Sequence, residues 1–235
     1  MQNKRWKQFG NLTEKCYNNM IGAEKDGSCW VQAFELLMEI VREERQTNPN
    51  YASELEMLEE VTDCEYDIQG WLEDCLDELD MREEHWTLLK MCDDLLDMFG
   101  WPEYTGSDIK MRKATVMAAL GQKEESAEFC KKWLQKEPEN IVAAAAGVYA
   151  FIEVKAFEEA EKLVERFILD KSKCTDENDI MFTAASILYQ VTGKKKEKRV
   201  IDKAIKEYEK YLEDYYESFE FEDEDEEFFD GELPF

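Results

Sequence analysis

The amino-acid sequence predicts an all-α protein assembled from short antiparallel helical hairpins. Three observations carry this expectation. Only 4 of 235 residues are proline and 10 are glycine, too few for the tight turns that several strands would need. Leu, Glu, Lys, Ala and Met are abundant, and all are good helix formers. Apolar residues recur at helical spacing in one segment after another, separated by short polar links.

The elements follow in order. Residues 3–21 read as a helix with Trp6, Phe9, Leu12, Cys16, Tyr17 and Met20 on one side. Gly22 and Gly27 bracket a turn, and Ser28 is expected to cap the next helix, which carries Trp30, Val31, Phe34, Leu37, Met38 and Val41. Asn48-Pro49-Asn50 breaks the chain. A third helix is expected over 52–65, a fourth over 68–80 with Trp71, Cys75 and Leu79, and a fifth over 83–99 with Trp86, Leu89 and Cys92. Gly100-Trp101-Pro102 ends it, and Gly106-Ser107 lengthens the loop. Further helices read at about 108–120, 123–136, 140–154, 157–170, 177–192 and 195–218.

Three of the later segments align on their turns. Leu120-Gly121 precedes Ser126-Ala127, Val154-Lys155-Ala156-Phe157 precedes Ala160, and Thr192-Gly193 precedes Lys198. Gly121 and Lys155 are 34 residues apart, and Lys155 and Gly193 are 38 apart, with the surplus in the polar loop 171–179. Glu137-Pro138-Glu139-Asn140 closes the first of these hairpins. This period resembles the tetratricopeptide repeat. Lys155-Ala156-Phe157 with Ala160 matches the family's aromatic and alanine, and Gly121 and Pro138 match its glycine and proline. The family's tryptophan near the start of the first helix is missing from all three repeats. The resemblance covers about residues 107–212 and implies a right-handed α-solenoid of antiparallel hairpins. It places Ala114 opposite Ser126, Val148 opposite Ala160 and Ser186 opposite Lys198, where small side chains let paired helices approach. Lys198 breaks that pattern and reads as a terminal, capping repeat. Upstream the resemblance fades, because His85 falls on the small-residue position if the turn starts at Asp80. A non-repeating helical bundle is the competing architecture.

The resulting organisation is 1–106, a helical-hairpin part; 107–218, the repeats and a capping helix; and 219–235, an acidic aromatic tail. The formal charge is −27, from 56 acids and 29 bases. Residues 54–97 hold 17 acids and 2 bases, Arg82 and Lys90, whereas residues 213–235 hold 12 acids and no base. The remaining segments are neutral. So negative a chain is not expected to bind nucleic-acid phosphates or an anionic membrane surface. Residues 1–53, with seven acids and seven bases, offer no basic recognition helix either. No apolar run approaches the ~18 residues of a membrane span, and the first residues lack the apolar region of a signal peptide. With seven cysteines, no C-x-x-C pair and an odd count, reduced thiols and a cytoplasmic location are expected.

Little in the sequence points to catalysis. His85 is the single histidine, so no paired-histidine metal site can form. Phosphate-binding and nucleotide-binding glycine motifs and a nucleophile elbow are missing. The acidic run 222–227 lacks the alternation and central glycine of a calcium loop. Neither a catalytic residue, a cofactor nor a metal is assigned. The resemblance implies a binding surface on the first helix of each hairpin, here Met111, Thr115, Ala145, Tyr149, Ile152, Thr183, Ile187 and Gln190. These are mostly apolar or neutral, so the carboxylate clamp of some relatives is not reproduced. The same side chains equally serve to pack neighbouring hairpins. In the tail, aromatics interleaved with acid read as a segment that docks, with Phe228, Phe229 and Phe235 as anchors; a solvated tail is the alternative.

The function expected is a non-catalytic protein–protein interaction module that binds a peptide, a helix or a second copy of itself. One alternative is an acidic mimic or inhibitor of a basic or nucleic-acid-binding partner. Another is an enzyme with an acid-lined cleft.

Overall fold

In the computed structural model the backbone is described for residues 2–220 and the side chains for residues 4–217. The described residues are all-α, with α1 (Gln2–Met20), α2 (Ser28–Thr47), α3 (Met57–Val61), α4 (Ile68–Met81), α5 (His85–Met98), α6 (Ser107–Ala119), α7 (Lys123–Lys136), α8 (Ile141–Glu153), α9 (Phe157–Phe167), α10 (Asp179–Val191) and α11 (Lys195–Glu220). Pro102–Tyr104 forms one 3-10 turn. The chain divides into two compact units, Met1–Phe129 and Cys130–Phe235.

The core of the first unit is aromatic. The Trp30 and Trp71 rings stack with centroids 6.4 Å apart, Phe9 meets Trp71 edge-on at 5.1 Å, and Trp6 stacks on Tyr66 at 5.7 Å. Rings from α1, α2, α4 and the link before α4 thus interlock, and such pairs add about 0.5–1.5 kcal/mol each beyond the area they bury. Around them pack Leu37, Leu58, Ile68, Leu79, Leu88 and Leu95, all buried.

The third helix is much shorter than the 52–65 expected from periodicity, covering only Met57–Val61. A left-handed turn at Asp63 and Cys64 ends α3, the Cys64 amide donating to Glu59 O at 2.8 Å, and ahead of α3 the chain is held by Arg45. Its guanidinium donates to the Tyr51, Ala52 and Met98 carbonyls at 3.0, 2.5 and 2.7 Å and lies 5.5 Å from the Phe99 ring centroid. Those carbonyls are spent on a side chain, and the Gly100 amide donates to Ser53 O at 2.8 Å. The segment is therefore held as an irregular strap against the end of α5. Burial lowers the Arg45 pKa, yet guanidinium stays charged. Ser28 is not the cap of α2. That position belongs to Gly27, and Asp26 Oδ1 accepts from the Ser28 amide at 2.9 Å.

The second unit is built on small residues. Ala144, Ala145, Val148, Ala160, Val164, Ala184 and Ala185 are fully buried, with Phe182, Leu188, Tyr189 and Ile201 between the helices. α8 packs on α9 and on α10, and α10 also packs on α9 and α11. Asn140 caps α8 by accepting from the Val142 and Ala143 amides. A side chain at Gly147 would meet Leu163 at 2.9 Å and Leu134 at 3.1 Å, so a Cβ there would force those two leucines to shift.

Four hairpins share one turn. Glu83, Gly121, Lys155 and Gly193 all have left-handed backbone, with φ of 58, 81, 61 and 72°. The amide of the following residue reaches back five positions each time: Glu84 to Leu79 O, Gln122 to Met117 O, Ala156 to Phe151 O and Lys194 to Tyr189 O, at 2.9, 2.9, 2.8 and 2.9 Å. This is a Schellman cap. The second helix then starts two residues past the left-handed one, at His85, Lys123, Phe157 and Lys195. The α4–α5 pair therefore shares the turn of the later hairpins. Its turn residue is Glu83 and not Asp80, which moves the facing position from His85 to Leu88, opposite Leu76; both leucines are buried.

Two predictions follow from backbone strain and carbonyl satisfaction. Nothing lies within 4 Å of a Cβ built at Gly121 or Gly193, so Gly193→Ala should cost only the left-handed backbone, about 1 kcal/mol, whereas Lys155→Gly should stabilise by roughly 0.5 kcal/mol. Urea midpoints moving in opposite directions check this. Arg45→Met keeps the apolar stem but strips the donor from three carbonyls, and should destabilise by about 1–3 kcal/mol in the same measurement.

Candidate interaction surfaces

The facing pairs expected from the repeat are in contact or jointly buried. Ser126 Oγ donates to Ala114 O at 2.8 Å and is enclosed. Val148 and Ala160 are both fully buried. At the third pair the long Lys198 side chain is accommodated by hydrogen bonding. Its Nζ donates to Ser186 Oγ at 3.0 Å and to Asp202 Oδ2 at 2.7 Å, while Ser186 donates to Asp202 Oδ1 at 2.6 Å. The amine replaces a packed methyl with a three-membered polar cluster. Lys198, followed by Ser186, holds the Asp202 carboxyl below its ordinary range.

Of the residues expected to line a binding groove, Met111 and Thr115 lie on α6 in the first unit. Met111 is half-buried, and Thr115 is exposed with its hydroxyl donating to Met111 O. The other six lie on α8 and α10. Ala145 is fully buried in the core and presents no surface, so it is a packing residue. Its neighbours α9 and α10 cover that side of α8. Tyr149 and Ile152 are partly buried against the second core, and burial raises the Tyr149 phenol. Thr183, Ile187 and Gln190 are exposed along one stripe of α10. Val191 extends the stripe, 50% exposed beside Ile187 at 40%; periodicity shows that both are apolar but not that α10 leaves them uncovered. The structure brings α8 and α10 side by side, so Tyr149 and Ile152 lie on the helix next to this stripe. Phe228, Phe229 and Phe235 fall outside the described residues.

The first unit has two further features. A trough of about 970 Å³ runs between α1 and α2, lined by Lys15, Gln32 and Glu35 among others. Arg5 closes one end by pairing with Glu39 at 2.6 Å and with Glu43, which raises its pKa. The second feature is the junction of the α1–α2 and α4–α5 turns. Arg82 Nη2 donates to Asn19 Oδ1 at 2.6 Å and to Glu78 Oε2 at 2.5 Å, and Trp30 Nε1 donates to the same Asn19 oxygen at 3.1 Å. A Cβ at Gly27 would meet Arg82 Nη1 at 2.1 Å, so a side chain there would displace the guanidinium from its present place.

Burial pushes the thiols of Cys16, Cys92 and Cys130 up to about 12 and that of Cys174 to about 11. They are protonated at neutral pH and act as small core side chains. No group of three or more His, Cys, Asp or Glu side chains among the described residues is disposed to hold a metal ion. No described helix is long and apolar enough to cross a membrane. Comparison with protein-family models, with curated proteins and with solved structures finds no match.

The polar cluster generates a pH prediction. Asp202 has a lowered folded pKa, so its contribution is fully present above the unfolded value of about 3.9 and is lost as pH falls through the folded one. Wild type should exceed Asp202→Asn in urea midpoint at neutral pH, and the gap should narrow as acidification carries the folded Asp202 carboxyl through its titration.

Proposed function

We propose that this chain is a non-catalytic, cytoplasmic protein-interaction module of the tetratricopeptide type, with the hairpins forming a right-handed α-solenoid. The observation that carries the reading is the recurrent hairpin. Four turns share one left-handed residue and one reach-back hydrogen bond. In the second unit α10 inserts against both helices of the preceding hairpin, the nearest-neighbour stacking that repeat arrays use. Such arrays present the first helix of each hairpin to partners. On α10 that surface carries Ile187, Val191, Thr183 and Gln190, none needed to fill the core. The partner that suits it is a peptide or helix with apolar anchors, or a second copy of the chain.

A test is selection from phage-displayed random peptides of about 16 residues on the folded protein. Enriched peptides should share apolar anchors and bind Ile187→Asp at least about tenfold more weakly. Failure to enrich any peptide, together with a monomer in sedimentation, would overturn the reading.

A second reading draws on one specific observation. Both bases of residues 54–97 are spent internally: Arg82 on Glu78 and Asn19, and Lys90 on Asp94 at 2.8 Å. From α6, Arg112 and Lys113 also pair with Asp77, Asp80 and Asp93, and the other carboxylates of the block are left for a basic partner. Binding of that kind should weaken steeply as salt rises, and partner binding indifferent to salt would count against it.

A further inference from the structure

Within the first unit, the bond between Arg82 and Asn19 sets the α1–α2 turn beside the α4–α5 turn. Each turn leaves large apolar side chains in water. Met20 is 42% and Ile21 77% exposed on one, and Met81 is 71% and Trp86 67% exposed on the other. None of the four belongs to the core; along α5 the buried positions are Leu88, Met91, Cys92 and Leu95. Tryptophan with two-thirds of its surface in water is the kind of residue that anchors an interface.

The same two turns are acidic. They carry Glu24, Asp26, Asp80, Glu83 and Glu84 against Lys25 and Arg82. Arg82 is turned inward onto Glu78 and Asn19, so it offers a partner no charge. Glu83 and Glu84 are exposed and stand between Met81 and Trp86. Glu83 is the left-handed turn residue, a position where glycine would relieve strain; here the chain keeps a carboxylate in water instead.

We propose that this pair of turns is a docking surface for a cationic amphipathic helix. One helix face places apolar side chains against Trp86 and Met81, and flanking Lys or Arg residues meet Glu83 and Glu84; Asp80 already faces Arg112 of the chain itself at 3.9 Å. Charge complementarity selects this occupant: an anionic or uncharged apolar segment would face the carboxylates with nothing to offset their desolvation. The proposal rests on the acidic-partner reading above and adds an apolar anchor to it.

The test uses the full chain and two fluorescein-labelled synthetic peptides of about 18 residues, about five helical turns. One places Leu at i, i+3, i+4 and i+7 positions and Lys elsewhere so that leucine covers one helix face, and the other replaces every Leu with Ser. Fluorescence anisotropy at about 150 mM salt should show the Lys/Leu peptide binding at least about tenfold tighter than the Lys/Ser peptide. Met81→Ser with Trp86→Ser should erase that advantage, and Glu83→Lys with Glu84→Lys should weaken both peptides. Leu169→Ser, exposed and in neither proposed surface, should bind as wild type does. All these side chains are exposed, and unchanged helical circular dichroism and melting confirm that the variants fold. Equal, salt-sensitive binding of both peptides would overturn the anchored site while leaving the acidic-partner reading standing. Binding of neither would overturn both. An undiminished Lys/Leu advantage in the Met81, Trp86 variant, or a dimer of the chain that this variant dissolves, would also overturn the proposal.

Discussion

Each of four hairpins depends on one residue that leaves the right-handed helical region. At Glu83, Gly121, Lys155 and Gly193 the backbone turns left-handed, the helix ends, and two residues later the partner helix begins. The reach-back hydrogen bond occupies a carbonyl that the helix end would otherwise leave unpaired. Because the link has the same geometry each time, the positions seven before and five after it come face to face in every hairpin. Ser126 bonded to the Ala114 carbonyl and Lys198 bonded to Ser186 are two outcomes of one constraint. Side-chain size then decides what each pair becomes: small residues pack closely, leucines fill a wider gap, and a lysine recruits polar partners.

The two units satisfy their cores by different means. The first, with a variable set of links, relies on interlocking rings of Trp6, Phe9, Trp30, Tyr66 and Trp71. It also uses guanidinium groups to satisfy polar atoms away from regular ladders. Arg45 serves three carbonyls, and Arg82 joins two turns through Asn19. The second unit draws on alanines at close helix contacts and joins α10 to α11 through the Lys198, Ser186 and Asp202 cluster. Surfaces follow from these choices. Where Arg82 holds two turns together, their apolar and acidic side chains are displayed side by side.

Much of the fold was legible because helical spacing is a strong local signal. The helices at 68–80, 83–99 and 123–136 emerge within a few residues of where periodicity puts them, as do the facing pairs at 114 and 126, 148 and 160, and 186 and 198. The candidate surface was less legible. Ala145 occupies the same helical register as Tyr149 and Ile152, and only the arrival of α9 and α10 buries it. Trp86 resembles any core tryptophan in an apolar stripe, and only the packing of α5 leaves it in water while Leu88, Met91, Cys92 and Leu95 are buried. Glutamate at a position that usually calls for glycine conceals the turn from sequence reading.

What the sequence determined by itself is the set of helices, the period of the later hairpins and the location of the acid, because each depends on neighbours along the chain. What tertiary structure decided is the diversion of the residues ahead of the third helix to Arg45, the hairpin register at Glu83, and which apolar side chains remain in water. These depend on atoms distant in sequence. The carbonyls of residues 51 and 52 are drawn to a guanidinium six or seven positions away that also binds Met98 O, 53 positions from it. No local pattern encodes that competition, and the folded chain resolves it through hydrogen bonds that helical propensity does not outweigh.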